Sequence, residues 1–81
     1  MQQLTCQIQA MWDAEAEVWV AMSEDVPGLA TEAATLEALT EKLRGMVPEL
    51  LRLNAVLVEP DSHVVALVLN SHRKDKIEVM A

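Results

Sequence analysis

The feature that most constrains the fold is a single amphipathic stretch in the second half of the chain. Thr35 is a favourable N-cap residue before it, and Asn54 is a favourable stop after it. The stretch predicts one helix with an apolar stripe that must be buried against another element. The stripe consists of Leu36, Leu39, Leu43, Met46, Val47 and Leu50.

Pro48 is the anomaly within this helix. Proline removes one backbone hydrogen bond and clashes with the preceding turn, and Gly45 lies close by. We expect either a kink near residues 44–48 or a break followed by a short terminal turn. On the exposed side, Glu41 is placed to pair with Arg44.

Two alternating runs precede the helix and predict a hairpin. Residues 4–12 alternate with period two, and residues 17–22 resume in β-branched and aromatic residues after a polar interruption. In the first run, one side carries Leu4, Cys6, Ile8, Ala10 and Trp12. A register slip of one residue would move Trp19 to the other face, so the sequence leaves its face open.

The segment SEDVPGL, residues 23–29, predicts a chain reversal. Pro27 and Gly28 suit the two central positions of a type II turn. A short third strand over residues 29–33 should follow. After the helix, residues 59–62 form a polar connector, and residues 63–69 are a continuous apolar run that favours a covered strand.

These patterns predict an α+β fold of order β-β-β-α-β in a single domain of residues 1–81. A mostly antiparallel sheet would carry the helix on one face. Residues 73–81 are either an extra strand or a frayed tail. Since 52% of the 81 residues are apolar, and so short a chain buries only about 60% of its surface, we expect a homodimer or higher homo-oligomer.

The charge balance excludes some partners. Thirteen acids against six Lys and Arg give a net charge of −7, and Tyr and Phe are absent. Direct nucleic-acid binding needs a basic surface and gains from aromatic stacking, so we do not expect it. The acidity suits a basic protein partner, or it serves solubility alone.

Compartment and membrane signals are equally sparse. The longest apolar run, residues 64–69, is far shorter than the roughly 20 residues of a membrane helix. The first residues show no signal-peptide pattern. We therefore expect a cytoplasmic protein without a membrane partner.

No residue pattern predicts catalysis, a metal site or a cofactor. Asp13, Glu15 and Glu17 fall in the hairpin loop, where a solvated loop is the simpler interpretation. His63 and His72 flank the last strand, about 30 Å apart in extended chain, and cannot share a metal within one chain. Cys6 is alone, so no intramolecular disulfide is possible, and its position predicts a buried, inert thiol. We expect no enzymatic activity.

Candidate partner contacts lie around the hairpin and the turn. Trp19 is a favoured anchor type if it points away from the helix, and Met11 and Met22 would supply adaptable apolar contacts. Glu24 and Asp25 would present an acidic surface to a basic partner. The alternative is purely structural: Pro27 and Gly28 beside them simply make the turn. Arg73, Lys74 and Lys76 form the one basic cluster, which we interpret as solvated.

Four ordered segments resemble the HicB-like antitoxin family. They are WDAEAEVWVA at residues 12–21, SEDVPGL at 23–29, TLEAL at 35–39 and VPELLRLN at 47–54. Together they are similar to a small subgroup of that superfamily, over roughly residues 4–72. The resemblance implies the same β-β-β-α-β fold.

The same resemblance implies a function and one departure from the family. A HicB domain of this kind covers a small basic RNase toxin of the HicA type, so an antitoxin-like interaction domain is expected. Full HicB antitoxins add a DNA-binding module, for which these residues leave no room. The alternative is a stand-alone oligomeric or small-ligand-binding domain of the same fold without a toxin.

Overall fold

The computed structural model describes residues 2–55 and 63–80 of the chain, without the side chains of Gln2, Gln3 and His63. The elements follow in the order β1 (Gln2–Asp13), β2 (Val18–Met22), β3 (Thr31–Ala33), α1 (Leu36–Leu53) and β4 (His63–His72). The predicted α+β class and β-β-β-α-β order are confirmed. The polar connector predicted at residues 59–62 lies outside the described residues.

The four strands form one mixed sheet in the order β3-β2-β1-β4. β2 is antiparallel to both β1 and β3, whereas β4 runs parallel to β1 over ten residue pairs. The sheet is therefore not wholly antiparallel. The connection that contains α1 returns the chain to the start of β1, so that β4 runs alongside β1 in the same direction. β4 is three residues longer than the predicted run of 63–69, and β3 is shorter than predicted.

The hairpin register settles which face each tryptophan takes. Asp13 pairs with Val18 and Trp12 with Trp19 across a four-residue loop. Asp13 Oδ1 accepts hydrogen bonds from the backbone N–H groups of Glu15 at 3.0 Å and Ala16 at 3.2 Å. Both tryptophans consequently share the face of Cys6 and Ile8.

The predicted turn forms as expected. The backbone N–H of Leu29 donates to the carbonyl of Val26 at 3.2 Å, and Gly28 has a φ of +79°. A positive φ at the third residue defines a type II turn and favours glycine there.

Helix α1 begins and ends where the sequence predicted. Thr35 accepts a hydrogen bond from the Ala38 backbone N–H at 3.0 Å, and the Asn54 side chain donates to the carbonyls of Leu50 and, at 3.4 Å, Pro27. The helix continues through Pro48 without a break. The expected ion pair between Glu41 and Arg44 is present at 3.6 Å on the exposed side.

The core lies between α1 and one face of the sheet, which we call the covered face. Its fully buried members come from both layers: Cys6, Ile8, Ala10, Ala21, Val26, Leu39, Leu43, Val47 and Leu51. No buried polar side chain occurs among the described residues. Within the same residues, no helix is long and apolar enough to cross a membrane.

Candidate functional site

The sheet face opposite α1, which we call the open face, is not covered by any helix or strand of residues 2–55 and 63–80. Strand alternation and register place a polar stripe on β1 between apolar side chains of β2 and β4. Met11, Met22, Val64 and Val68 are 49%, 54%, 44% and 39% exposed. The face carries Thr5, Gln7, Gln9, Met11, Val18, Val20, Met22, Glu32, Val64, Ala66, Val68, Asn70 and His72.

The loop after β2 continues the sheet with side chains instead of a strand. Pairing of β1 with β2 ends at Gln9 and Met22. Beyond it, the Gln7 backbone N–H donates to Asp25 Oδ2 at 2.7 Å, and Ser23 Oγ donates to the Gln7 carbonyl at 2.6 Å. Ser23 Oγ also accepts from the Asp25 backbone N–H at 3.0 Å. Ser23 and Asp25 thus satisfy backbone groups that β2 leaves behind when it turns away.

An open groove of about 680 Å³ lies where this loop meets the open face. Its walls are amide, thioether, hydroxyl, carboxylate and alkyl groups, contributed by Gln7, Gln9, Met22, Ser23, Glu24, Asp25 and Leu29. Glu24 is exposed and makes no ion pair within the described residues. The Gln7 side chain is held from the neighbouring strand, where Asn70 Nδ2 donates to its Oε1 at 2.9 Å. The groove therefore suits a cationic ligand that also carries apolar and hydrogen-bonding groups.

Three of the five predicted contact residues line this groove, and a fourth lies on the same sheet face. Met22, Glu24 and Asp25 line it, and Met11 lies on the same face of β1 beyond Gln9. Asp25 has the structural role described above as well as a place on the rim. Glu24 is consequently the freer of the two carboxylates.

The fifth predicted contact, Trp19, is corrected by the structure. It lies on the covered face, is only 8% exposed, and its ring centroid is 5.4 Å from that of Trp12 at a tilt of 60°. The register that pairs Trp12 with Trp19 turns both rings towards the core. Trp19 is thus a core residue and is not presented to a partner.

The sequence interpretation missed the polar stripe of the open face. Gln7, Gln9 and Asn70 were assigned no role, although the alternation of residues 4–12 already placed both glutamines opposite the core. Asn70 lies beyond the predicted end of the last strand, and no local signal links it to Gln7. Only the parallel pairing of β1 with β4 brings them together.

The candidate groups for catalysis or metal binding do not converge. No cluster of His, Cys, Asp or Glu in the described part of the chain could hold a metal ion. His72 ends β4 on the open face, and the His63 side chain lies outside the described residues. Cys6 is fully buried, as expected, and burial, assisted by the Asp25 carboxylate, raises the pKa of its thiol. A thiol in this setting is a poor nucleophile.

The basic cluster is only partly solvated. The Arg73 guanidinium lies over the Trp12 ring, 4.2 Å from its centroid, and Arg73 Nε is 3.2 Å from Asp75 Oδ2. The first residue after β4 therefore packs on the edge of the covered face.

Comparison with known proteins places the chain in a family. The family model described as "Domain of unknown function (DUF1902)" matches residues 5–81. The chain belongs to this family. None of the curated proteins matches it.

One solved structure is closely similar to this DUF1902 chain. It is the crystal structure of hypothetical protein TTHA1013 from the extremely thermophilic bacterium Thermus thermophilus. The two sequences are 56% identical, the match covers 90% of this chain and 99% of that chain, and the TM-score is 0.74. Because that protein is itself described as hypothetical, the similarity supports the fold and adds no activity.

Proposed function

We propose that this protein is an antitoxin-like interaction domain that binds a small basic RNase toxin and occludes the toxin's active site. The observation that carries the proposal is the open face, with an acidic groove at one side of it. Occlusion is steric and electrostatic, so this chain supplies no catalytic group, cofactor or metal. It would act in the cytoplasm.

The apolar part of the open face supports protein binding over simple solvation. Met11 and Met22 are each about half exposed, on adjacent strands. Exposed apolar side chains grouped on one face are typical of interaction sites. Methionine side chains adapt to irregular partner surfaces, which suits the centre of such a contact.

Charge supports a basic partner. The net charge is −7, and Glu24 stands unpaired among the described residues at the rim of the groove. Opposite charge on a partner accelerates association and disfavours acidic competitors. The four segments that resemble HicB-like antitoxins independently favour a toxin as that partner.

The test is co-expression with each small protein encoded by the neighbouring reading frames, followed by co-purification, RNase assay and growth rescue. We expect one basic protein to co-purify, to lose RNase activity in the complex and to be toxic without this chain. If no complex and no rescue are found, the antitoxin function is wrong.

A matched pair of charge reversals locates the contact. Glu24→Lys should weaken the complex roughly tenfold or more at low salt, because it replaces attraction with repulsion at the groove. Glu49→Lys makes the same change in charge on the exposed side of α1 and should alter affinity less than about threefold. Equal effects of the two variants would exclude the groove as the contact.

A second candidate function is a stand-alone domain that holds a small ligand. The groove volume of about 680 Å³ favours it, since ligand sites commonly measure about 300–1,000 Å³. A cationic probe such as spermidine should then raise the unfolding temperature of the wild type but not of Glu24→Lys. Absence of a shift, together with a confirmed toxin complex, would remove this alternative.

A further inference from the structure

Strand β4 forms one long edge of the sheet, and no strand of the described residues covers this edge. It pairs with β1 on one side, and no described residue pairs with its other side. Its sequence HVVALVLNSH contains no Lys, Arg, Asp, Glu or Pro. Proteins that stay monomeric usually guard an exposed edge with charges, proline, bulges or a covering loop. A ten-residue edge that the described part of the chain leaves unpaired is the geometry of a strand that pairs with another chain.

The segment that follows β4 also lacks a partner strand among the described residues. Residues 73–80, which we call the tail, form no helix or strand with the rest of the described chain. Ile77, Val79 and Met80 are 83%, 82% and 90% exposed. The molecule is 63 Å long but only 19 Å across, and an 18-residue extended segment spans about 60 Å. These dimensions match a tail that continues β4 in an extended line.

The direction of the tail side chains follows from the alternation of β4. Leu67, Leu69 and Ser71 are on the covered face, because they pair with residues of that face on β1. Arg73 continues this series, since it contacts Trp12 on the same face. Extended geometry then places Ile77 and Val79 towards the covered face as well.

We propose that a second copy of this chain pairs antiparallel along residues 63–80, so that each tail runs along β4 of the other copy. This interface does not depend on the toxin-binding function proposed above. A twofold axis perpendicular to the sheet keeps the covered faces of both copies on the same side. With this axis, two residues that lie directly opposite each other must point to the same face of the sheet. This holds only if the axis passes through a residue, because an axis between two residues would oppose residues of different faces.

An axis at His72 gives an apolar match without setting two like charges opposite each other. It places Ile77 opposite Leu67 and Val79 opposite Val65 of the second copy. Both β4 residues are only half-buried, because α1 lies closest to β2 and β3. On the open face, the same register places Met80 opposite Val64. An axis at Ser71 would instead place Val79 opposite His63, and an axis at Arg73 would set the two like-charged Arg73 side chains directly opposite each other.

The charge and the length of the tail also favour a second copy of this chain as the partner of the β4 edge. Half of the six Lys and Arg residues lie at positions 73–76 of the tail, and in this register they meet a β4 edge without formal charge. The eight-residue tail and the ten-residue strand nearly match in length. Each chain thus carries both the β4 edge and the tail that would pair with it. A tail that continues β4 in a line cannot fold back on its own β4 edge, so it pairs with the β4 edge of the second copy.

Oligomeric state measured by light scattering and sedimentation across a concentration series tests this interface. We expect a dimer for the wild type. Ile77→Lys combined with Val79→Lys should raise the dimer dissociation constant at least about 100-fold, since four apolar contacts per dimer are lost. The control is Leu53→Lys, at a residue that is 81% exposed at the end of α1. This variant should leave the dimer dissociation constant unchanged.

Cross-linking tests the register. Opposed residues in an antiparallel pair have Cα atoms about 4.5–5.5 Å apart, within the range for disulfides. His72→Cys should therefore oxidise rapidly to a covalent dimer, whereas the control Leu53→Cys should not, and Cys6 is buried. A monomeric wild type, unchanged association of the double lysine variant, or equal oxidation of the two cysteine variants would each overturn the proposal.

Discussion

At the scale of single residues, the segment 23–29 has two structural roles in addition to lining the groove. Its Pro-Gly pair reverses the chain, and its Ser23 and Asp25 side chains replace the strand that β1 loses at Gln7. Asn54 donates to Pro27 at 3.4 Å, so the end of α1 is tied to the same turn. The acidic rim of the groove is consequently held by a local hydrogen-bonded frame.

Two glycine-to-alanine substitutions should have opposite signs. Gly28→Ala should destabilise by about 1 kcal/mol, because φ is +79° and an added Cβ carries a steric cost there although the site has space, with Leu50 Cδ2 at 3.7 Å. Gly45→Ala should stabilise by about 0.5–1 kcal/mol, since it lies within α1 with nothing near its Cβ position. Urea denaturation of both variants measures the difference, and changes of the same sign would contradict it.

The two neighbouring acids should also differ in their effects on stability. Asp25→Ala removes the acceptor for the Gln7 N–H and should cost about 1 kcal/mol. Glu24→Ala is the matched control and should stay within about 0.5 kcal/mol, because Glu24 has no described partner. Equal free energies of unfolding for the two variants would show that Asp25 does not support the strand.

At the scale of elements, α1 tolerates a proline at a position where helices usually kink or end. Leu43, Val47 and Leu51 are buried on both sides of Pro48, so packing of the apolar stripe keeps the chain helical across the proline. The missing N–H leaves the Arg44 carbonyl without its helical partner. Tertiary packing therefore outweighs the local preference.

Replacing this proline should stabilise the helix. Pro48→Ala restores one backbone hydrogen bond and should raise the free energy of unfolding by about 1–2 kcal/mol, less than the ~3 kcal/mol of an exposed site because Pro48 is partly buried. Glu49→Ala, one residue on and exposed, should change stability by less than about 0.5 kcal/mol. Loss of stability in Pro48→Ala would mean that packing of the proline ring outweighs the missing hydrogen bond.

The sequence predicted the elements whose signals are local. Thr35, Asn54 and the Pro27-Gly28 pair act through their immediate neighbours, and the alternation of β1 reflects one covered face. The face of Trp19 needed the hairpin register, which depends on a loop where Glu17 adopts a φ of +56°. The parallel pairing of β1 with β4 and the bond from Gln7 to Asp25 join distant residues, so no short pattern signals them.

At the scale of the whole molecule, one helix cannot shield a four-stranded sheet. It leaves the open face and the β4 edge uncovered. We propose a toxin as the partner of the open face and a second copy of this chain as the partner of the β4 edge. Pairing of two copies through β4 would give an eight-stranded sheet with both helices on one side and a doubled open face on the other. Dimer formation and toxin binding would then use separate surfaces of the same assembly.

If folding and pairing are linked in this way, thermal stability depends on protein concentration. A partner that binds only the folded state stabilises it by mass action. Each tenfold rise in wild-type concentration adds about 1.4 kcal/mol per dimer, which should raise Tm by about 3–5 °C for two domains of this size. Calorimetry over a hundredfold range would measure the slope. The slope should vanish in Ile77→Lys/Val79→Lys and persist in Leu53→Lys, because only the former disrupts the tail that reaches across to β4 of the second copy.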